Sequence, residues 1–408
     1  MKRLLLLSAV TSLTLFGAAY KLPEQSLKGV ALGAANVAAC DGADCAYYNS
    51  ANSAFLEANK QYLEAGLIGV HLPAVKFNGT VAISHTTIIP ANGKTKIENK
   101  VVPYLHYISK EYGNFRYGLS VTTPGGLVKR WDTPVQKLYA KKFDLKIINI
   151  NPSVTYKVNS NFALSLGADI VYSDGKVQSD GFDLKIPLKR DLDGDSIDYG
   201  YNLAATYHLD NGVNLAATYR SKVKLSLEGK ANLQMGTFAN IYDSSVNVYL
   251  PAQLDFAISK DIDKFTLEFV YERTFWSKYK TLDFNYKTAL PAALQPSFDR
   301  PIPKNWKDTN TFRFGLQYRY NNKITLLAGY SYDQSPIKDK YLSFELPDSD
   351  ANIFSAGFTY KQNKNLTWGV AALYDNKKSR RVSTYNGIRG KFSKGGAILI
   401  TAGVQYSF

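Results

Sequence analysis

From about residue 62 to the C-terminus, apolar and polar residues alternate with period two, segment after segment. Successive side chains of a strand point to opposite faces, so this pattern demands strands with one apolar and one polar side. Phe162, Leu164, Leu166, Ala168, Ile170 and Tyr172 alternate with Ala163, Ser165, Gly167 and Asp169. Phe265, Leu267, Phe269 and Tyr271 face away from Thr266, Glu268 and Glu272. Phe312, Phe314, Leu316, Tyr318 and Tyr320 oppose Arg313, Gln317 and Arg319. The longest row places Val213, Leu215, Ala217, Tyr219, Val223, Leu225 and Leu227 on one face. Asn214, Thr218, Arg220, Lys222, Lys224 and Glu228 occupy the other.

A soluble sandwich would alternate too, so the connections have to discriminate. Tight turns at Glu111-Tyr112-Gly113, Asn159-Ser160, Asp210-Asn211-Gly212, Asp261-Ile262-Asp263, Asn321-Asn322 and Gln362-Asn363-Lys364 alternate strictly with long polar segments. Those segments lie near 73–98, 126–142, 174–197, 229–245, 287–308, 334–350 and 378–394. Short periplasmic turns and long external loops in strict alternation are the wiring of an outer-membrane barrel, and the count between them is fourteen strands. No apolar run of helix-spanning length follows the N-terminus, and the mean hydropathy of −0.22 excludes a helical membrane protein. The last strand carries Ile398, Ile400, Ala402, Val404, Tyr406 and Phe408 on one face. Its aromatic end resembles the signal that the barrel assembly machinery reads on bacterial outer-membrane proteins. Tyr172, Tyr207, Tyr320 and Tyr374 at strand ends suit interfacial girdles.

The N-terminus supplies the compartment. Lys2 and Arg3, an apolar stretch from Leu4 to Phe16 and Gly17-Ala18-Ala19 form an export signal over 1–19, cut after Ala18 or Ala19. Residues 20–60 do not alternate. Of the 18 residues from Gly29 to Ala46, 10 are Ala or Gly, small enough to pack in a confined space. A hatch, or plug, inside the lumen of a barrel formed by 61–408 accounts for them. Cys40 and Cys45 lie within this stretch; an exported compartment favours a disulfide, with a free-thiol or redox role as the alternative. The fold class is thus all-β: a monomeric 14-stranded antiparallel transmembrane barrel with an N-terminal hatch.

Pro23-Glu24-Gln25-Ser26, Gly29, the Ala/Gly stretch and Tyr48-Asn49-Ser50-Ala51 resemble the hatch of the long-chain fatty acid outer-membrane transporter family (FadL/TodX type). Members usually carry Asn-Pro-Ala where this chain has Asn49-Ser50-Ala51. Gly118 to Leu127 resembles that family's third strand, Asn149 to Val154 its fourth and Tyr219 to Val223 its seventh. Trp306 to Thr309, Tyr332 to Pro336 and Pro347 to Asp350 resemble the region from its tenth strand to its twelfth. The resemblance implies passive uptake of hydrophobic molecules, long-chain fatty acids foremost. Cargo would land in an external groove, move to a lumen pocket beside the hatch, and leave sideways through a kinked third strand. Keeping an apolar molecule out of water favours such a route at about 25 cal/mol per Å².

On that reading Glu24, Asn49 and Ala51 belong to the hatch, and Pro124, Gly125 and Gly126 sit at the kink, although an ordinary strand end would read the same. Leu233, Met235 and Phe238, with Ile241 and Tyr242, are either the landing groove or a loop-packing cluster. Arg220, Lys222 and Arg313 fall on the polar face. There they either hold a ligand carboxylate or pair with acidic neighbours such as Glu228 or Glu268. Asp191-Leu192-Asp193-Gly194-Asp195 reads as a solvated loop, since its glycine is not where an EF-hand needs it. No nucleophile partners His71, His85, His106 or His208, so no enzyme, metal or cofactor is expected. The net charge of +15 becomes 15 − 2 = +13 once the signal, with Lys2 and Arg3, is removed. Nucleic acid is a poor partner for such a barrel; Lys377, Lys378, Arg380 and Arg381 would meet outer-membrane lipid and lipopolysaccharide. The rivals are a general diffusion porin and an uptake channel for aromatic hydrocarbons.

Overall fold

A computed structural model describes residues 19–84 and 86–408. Apart from Ala19, the expected export signal lies outside the described residues. Fourteen antiparallel strands close on themselves. They are β1 (Tyr62–Leu72), β2 (Glu98–Ile108), β3 (Phe115–Thr122 and Gly126–Arg130), β4 (Lys142–Lys157), β5 (Phe162–Asp180), β6 (Leu188–His208) and β7 (Val213–Arg220 and Val223–Met235). Then follow β8 (Phe238–Leu250 and Ala252–Ile262), β9 (Phe265–Phe275), β10 (Thr309–Arg319), β11 (Ile324–Asp333), β12 (Ala351–Lys361), β13 (Leu366–Lys377) and β14 (Gly396–Ser407). β1 pairs with β14 from Tyr62↔Ser407 onward, so no edge is left open at the seam.

Outward faces are apolar, inward faces small or polar, as lipid on one side and a packed lumen on the other require. Leu164, Leu166, Ile170 and Tyr172 are exposed, while Ala163, Ser165 and Asp169 are buried. On β14, Ile398, Ile400, Val404, Tyr406 and the terminal Phe408 face out and Thr401 faces in. Tyr172, Tyr207, Tyr320 and Tyr374 are all exposed; the last three lie within three residues of a strand end, where girdles belong, whereas Tyr172 sits eight residues before the end of β5.

Two of the expected loops are strand. β5 runs to Asp180 and β6 starts at Leu188, so the carboxylates of 191–195 sit on a ladder, with Asp191 3.4 Å from Lys176. β7 and β8 meet in a two-residue turn at Gly236-Thr237, where Gly236 takes φ +61°, a left-handed value that suits glycine. Leu233, Met235 and Phe238 are therefore strand residues and not a loop cluster.

The long β7 row also does not keep one face. β7 breaks at Ser221-Lys222 and β8 at Pro251. Below the breaks, Leu215, Phe256 and Ile258 point out and Ala216, Asp255 and Ala257 point in. Above them, Val223, Leu225, Leu227, Val246 and Val248 point in and are buried, whereas Lys222, Lys224 and Glu228 are exposed. A one-residue slip inverts a strand's faces. Here it gives the barrel an extension above the membrane that is apolar inside and charged outside.

Candidate functional site

The hatch fills the lumen with short elements, α1 (Leu27–Ala31), α2 (Cys45–Tyr48) and a 3-10 turn (Ser50–Phe55). Ser26 caps α1 through the Gly29 amide at 2.8 Å. Small residues permit contact that larger ones would block: a β-carbon on Gly29 would lie 1.8 Å from the Tyr48 hydroxyl oxygen. That hydroxyl accepts from the Gln25 amide (2.8 Å) and donates to Pro23 O (2.9 Å), folding the segment back on itself. Asn49 donates to Val37 O and Thr206 Oγ1, both at 2.8 Å, and Ala51 packs against Ala163 and Ala204.

Inward charges of the wall hold this plug. The Glu268 carboxylate accepts from three successive hatch amides, Val37 (2.6 Å), Ala38 (2.7 Å) and Ala39 (3.3 Å). Arg116 donates to Ser53 O, Leu56 O and Glu57 O at the end of the 3-10 turn, two of which also accept from Leu56 N and Lys60 N. Arg220 is bound to Asp169 (2.6 Å) and Tyr47 O (3.2 Å). Arg313 bridges Glu272 (2.9 Å) and Gly33 O (3.1 Å), and Lys21 takes the other Glu272 oxygen. Arg220 and Arg313, candidates for a ligand carboxylate, are thus committed to wall carboxylates and hatch carbonyls. Lys222 is outside the lumen altogether, its ammonium 5.3 Å from the Tyr249 ring. Glu228 is likewise exposed, so neither serves the lumen.

Cys40 and Cys45, expected to form a disulfide, are free buried thiols. Cys40 Sγ sits 3.8 Å from both Val37 O and Asn49 O, so its thiol serves the polar interior of the hatch.

Glu24, in the hatch and not in a crossing strand, is buried. Burial pushes its carboxyl from the usual 4.5 up to about 7; Arg313 pulls it back, and Asp375 and Asp333 add to the rise. With the folded value above the unfolded one, the contribution to stability is whole below about pH 4.5 and is lost as pH climbs through 7, about 3 kcal/mol in all. Hatch protection from protease should therefore weaken between pH 5 and pH 8, and Glu24→Gln should flatten that dependence. An equal slope in both proteins would sink the assignment.

The wall itself breaks where Pro124, Gly125 and Gly126 were expected to kink it. Thr122 pairs with Asn149 and Gly126 with Lys146, so the three residues Thr123 to Gly125 face only Ile147 and Ile148. This is a bulge with Pro at its centre. The lower part of β3 pairs with β2 only from Leu105↔Val121 to Ile108↔Gly118, and the upper part pairs with β4 alone. Opposite Asn99 to Tyr104, among the described residues, the ladder is open. It is rejoined at the top by Lys96 N to Arg130 O (2.9 Å) and by the Arg130–Glu98 ion pair (2.5 Å).

The hatch closes this window from within. Gly126 N donates to Tyr20 O (2.8 Å) and Leu22 N to Pro124 O (2.9 Å), while the Gln25 side chain bonds both Thr123 N (2.7 Å) and Thr123 O (2.8 Å). The Tyr20 ring enters an aromatic cluster, 5.1 Å from Trp276 and 5.8 Å from Trp306, with Tyr279 4.8 Å from Trp306. Above lies the apolar extension, where Leu192, Leu227, Leu233, Val246 and Val248 meet Leu282, Phe284, Leu294 and Phe298 of the segment after β9. Of the expected groove residues, Leu233 lies in it buried, Met235 packs at its margin and Phe238 is exposed at the tip. Lys21, Arg116 and Glu272 were not foreseen. Arg116 and Glu272 show themselves in sequence only as charges on the inward side of an alternating strand.

A closed, plugged, 14-stranded barrel with a bulged third strand defines a class of outer-membrane transport protein. The sequence profile of one such family, "Outer membrane protein transport protein (OMPP1/FadL/TodX)", matches residues 8–408, and the chain belongs to that family, one of transporters and channels and not of enzymes. Among curated relatives, the long-chain fatty acid transport protein of Escherichia coli O6:H1 is 25% identical over 70% of this chain and 71% of its own length. Outer membrane protein P1 of Haemophilus influenzae strain Rd is 24% identical over 88% of this chain and 85% of its own. The crystal structure of a Pseudomonas aeruginosa FadL homologue superimposes with a TM-score of 0.83 at 18% identity, covering 95% of this chain and 99% of the other. The Pseudomonas putida toluene transporter TodX gives 0.70 at 18% identity, with the same coverage.

Proposed function

We propose that this protein carries hydrophobic molecules, long-chain fatty acids foremost, passively across the outer membrane. The observation that carries the reading is the window between β2 and β3, closed by Tyr20 to Leu22 of the hatch and by no strand. Cargo collects in the apolar extension above the membrane, passes the Tyr20–Trp276–Trp306 cluster and displaces the hatch's first residues. It then leaves sideways between β2 and β3 into lipid. An axial exit would send an apolar molecule past the hatch into water, forfeiting about 25 cal/mol per Å² of its surface. The curated relatives named for long-chain fatty acids support that cargo; toluene transporters of the same fold keep aromatic hydrocarbons as the second reading. The division into an export signal over 1–19, a hatch over 20–60 and a barrel over 61–408 is part of the proposal. So is a monomer, because β1 and β14 pair with each other and the hatch covers the free edge of β2 from within. Outer-leaflet lipopolysaccharide would meet the exposed Lys222, Lys224, Lys378 and Arg381, and not Lys377 or Arg380, which are tied to Asp348. Barrel assembly machinery would read the terminal strand ending in Phe408.

Binding and uptake of labelled oleate and labelled toluene by cells lacking other such transporters test the reading. Saturable oleate uptake with small ion conductance in planar bilayers is the expected result. Saturable toluene uptake alone would shift the cargo to aromatic hydrocarbons. Large, steady conductance with no saturable uptake of either would make the protein a diffusion porin.

A further inference from the structure

We propose that Arg190 is the head-group anchor of the apolar extension, and that the cargo it selects is an amphiphile ending in a carboxylate. The inference rests on the transport reading above and deepens it, because it chooses between a fatty acid and a hydrocarbon. Arg220 and Arg313 are neutralised by Asp169 and Glu272, and Arg116 spends its donors on hatch carbonyls. Arg190 has no such arrangement. It lies on β6 two residues before the buried Leu192 and opposite the buried Leu233 of β7. Its guanidinium carbon is 4.5 Å from the centre of the Phe284 ring and 5.3 Å from that of Phe298, both on the segment after β9. Only its Nη2 is engaged, with Phe298 O (3.1 Å) and Ser297 O (3.5 Å); its Nε is buried without a partner. Among the described residues no carboxylate forms an ion pair with it, and that includes Asp283 and Asp299 on the same segment.

Two further donors stand in the same patch. Tyr286 Oη donates to the same Phe298 O, at 3.1 Å, and so sits beside the guanidinium. Tyr286 pairs in register with Ser244 of β8, and its ring lies 6.1 Å from that of Tyr242, two residues before Ser244 on the same inward face. Tyr242 Oη and Ser244 Oγ are both buried and have no partner. A guanidinium N–H and two hydroxyls left unpaired in apolar surroundings lack an acceptor, and the acceptor that also balances the cation is an anion such as a carboxylate. Toluene or an alkane brings neither an acceptor nor a charge and would leave all three groups unpaired. Phe284, which stacks on Arg190, also lines an apolar seam with Leu192, Leu227 and Val246. A hydrocarbon chain attached to the bound carboxylate therefore meets apolar surface at once, with the head at Arg190 and the tail along Phe284.

Equilibrium binding of labelled oleate and labelled oleyl alcohol to the purified protein in a non-ionic detergent, corrected for partition into micelles, tests this. The two ligands share a chain and differ at the head. The wild-type protein should bind oleate roughly tenfold or more tightly than the alcohol, the worth of one hydrogen bond to a charged group. Arg190→Gln, with folding checked by heat-modifiable gel mobility, should erase that preference by weakening oleate alone, and Arg190→Lys should keep part of it. Tyr242→Phe, which removes one hydroxyl and leaves the ring, should weaken oleate about threefold and leave the alcohol unchanged. Equal loss of both ligands in Arg190→Gln would make Arg190 a staple that holds Ser297 and Phe298 to β6, and would overturn the proposal. Equal affinity for the two ligands in the wild-type protein would overturn it as well, and would leave the transport reading standing. Binding of neither would take the transport reading down with it. The wild-type comparison needs no variant, so a failure of Arg190→Gln to fold leaves the proposal open to refutation.

Discussion

Deleting Gly125 together with Pro124→Val should cut cargo uptake at least tenfold while leaving the barrel folded. The bulge places three β3 residues opposite two of β4, so removing one lets the register run through from Thr122 to Lys129. Restored backbone donors would face the free edge of β2 from Asn99 to Tyr104 and zip the window shut. About six new ladder bonds, at roughly 1 kcal/mol net each, outweigh the few that hold Tyr20 to Leu22 in place. Heat-modifiable mobility should show an intact barrel and binding of labelled oleate should persist, since the apolar extension is untouched. Uptake at the wild-type rate by such a variant would rule out exit between β2 and β3.

Glu272→Ala should release the hatch. Its two oxygens hold Lys21 and Arg313, and the Arg313–Glu272 pair is 2% exposed on both sides. Removing one partner of a buried pair leaves an uncompensated charge, at about 3–5 kcal/mol, and here two cations are stranded together. Lys21 lies between the two residues that patch the window, and Arg313 also grips Gly33 O, so the loss falls on the hatch and not on the ladder. Expected readouts are single-channel conductance well above wild type and protease cleavage within residues 20–60, with far-UV strand content unchanged. Glu272→Gln, which keeps a hydrogen-bond acceptor, should fall between. Wild-type conductance and protection in the alanine variant would show that Glu268, Arg116 and Arg220 suffice.

Much of this molecule was legible before any coordinates. Inside-outside alternation such as Leu164, Ser165, Leu166 is a direct image of lipid on one side and lumen on the other. Turn and loop spacing supplied strand number, and the Ala/Gly stretch supplied a plug, because small side chains such as Ala31 and Ala35 let the hatch lie directly against Gly357 and Gly315 of the wall. Even a break in β3 at Pro124 was visible, since proline lacks the donor that a ladder needs.

What stayed hidden has two physical causes. Alternation reads the same whichever face is inward, so the slips at Ser221-Lys222 and Pro251 left no mark: Val223, Leu225 and Leu227 look like lipid-facing residues until the register is known. Lys222 was misplaced for the same reason, and the long ladders of β5 to β8 passed for loops because their charged outer faces stand in water above the membrane. Charge pairing was hidden for a different reason. Lys21 and Glu272 are 251 residues apart, and Val37 and Glu268 are 231 apart, so which inward charge meets which hatch group follows from closure of the barrel. The sequence alone therefore determined that this chain makes a plugged barrel in the outer membrane. Only the tertiary structure decided how the plug is tied and where the wall is open, because both depend on register, and a single-residue offset in register costs the one-dimensional pattern nothing.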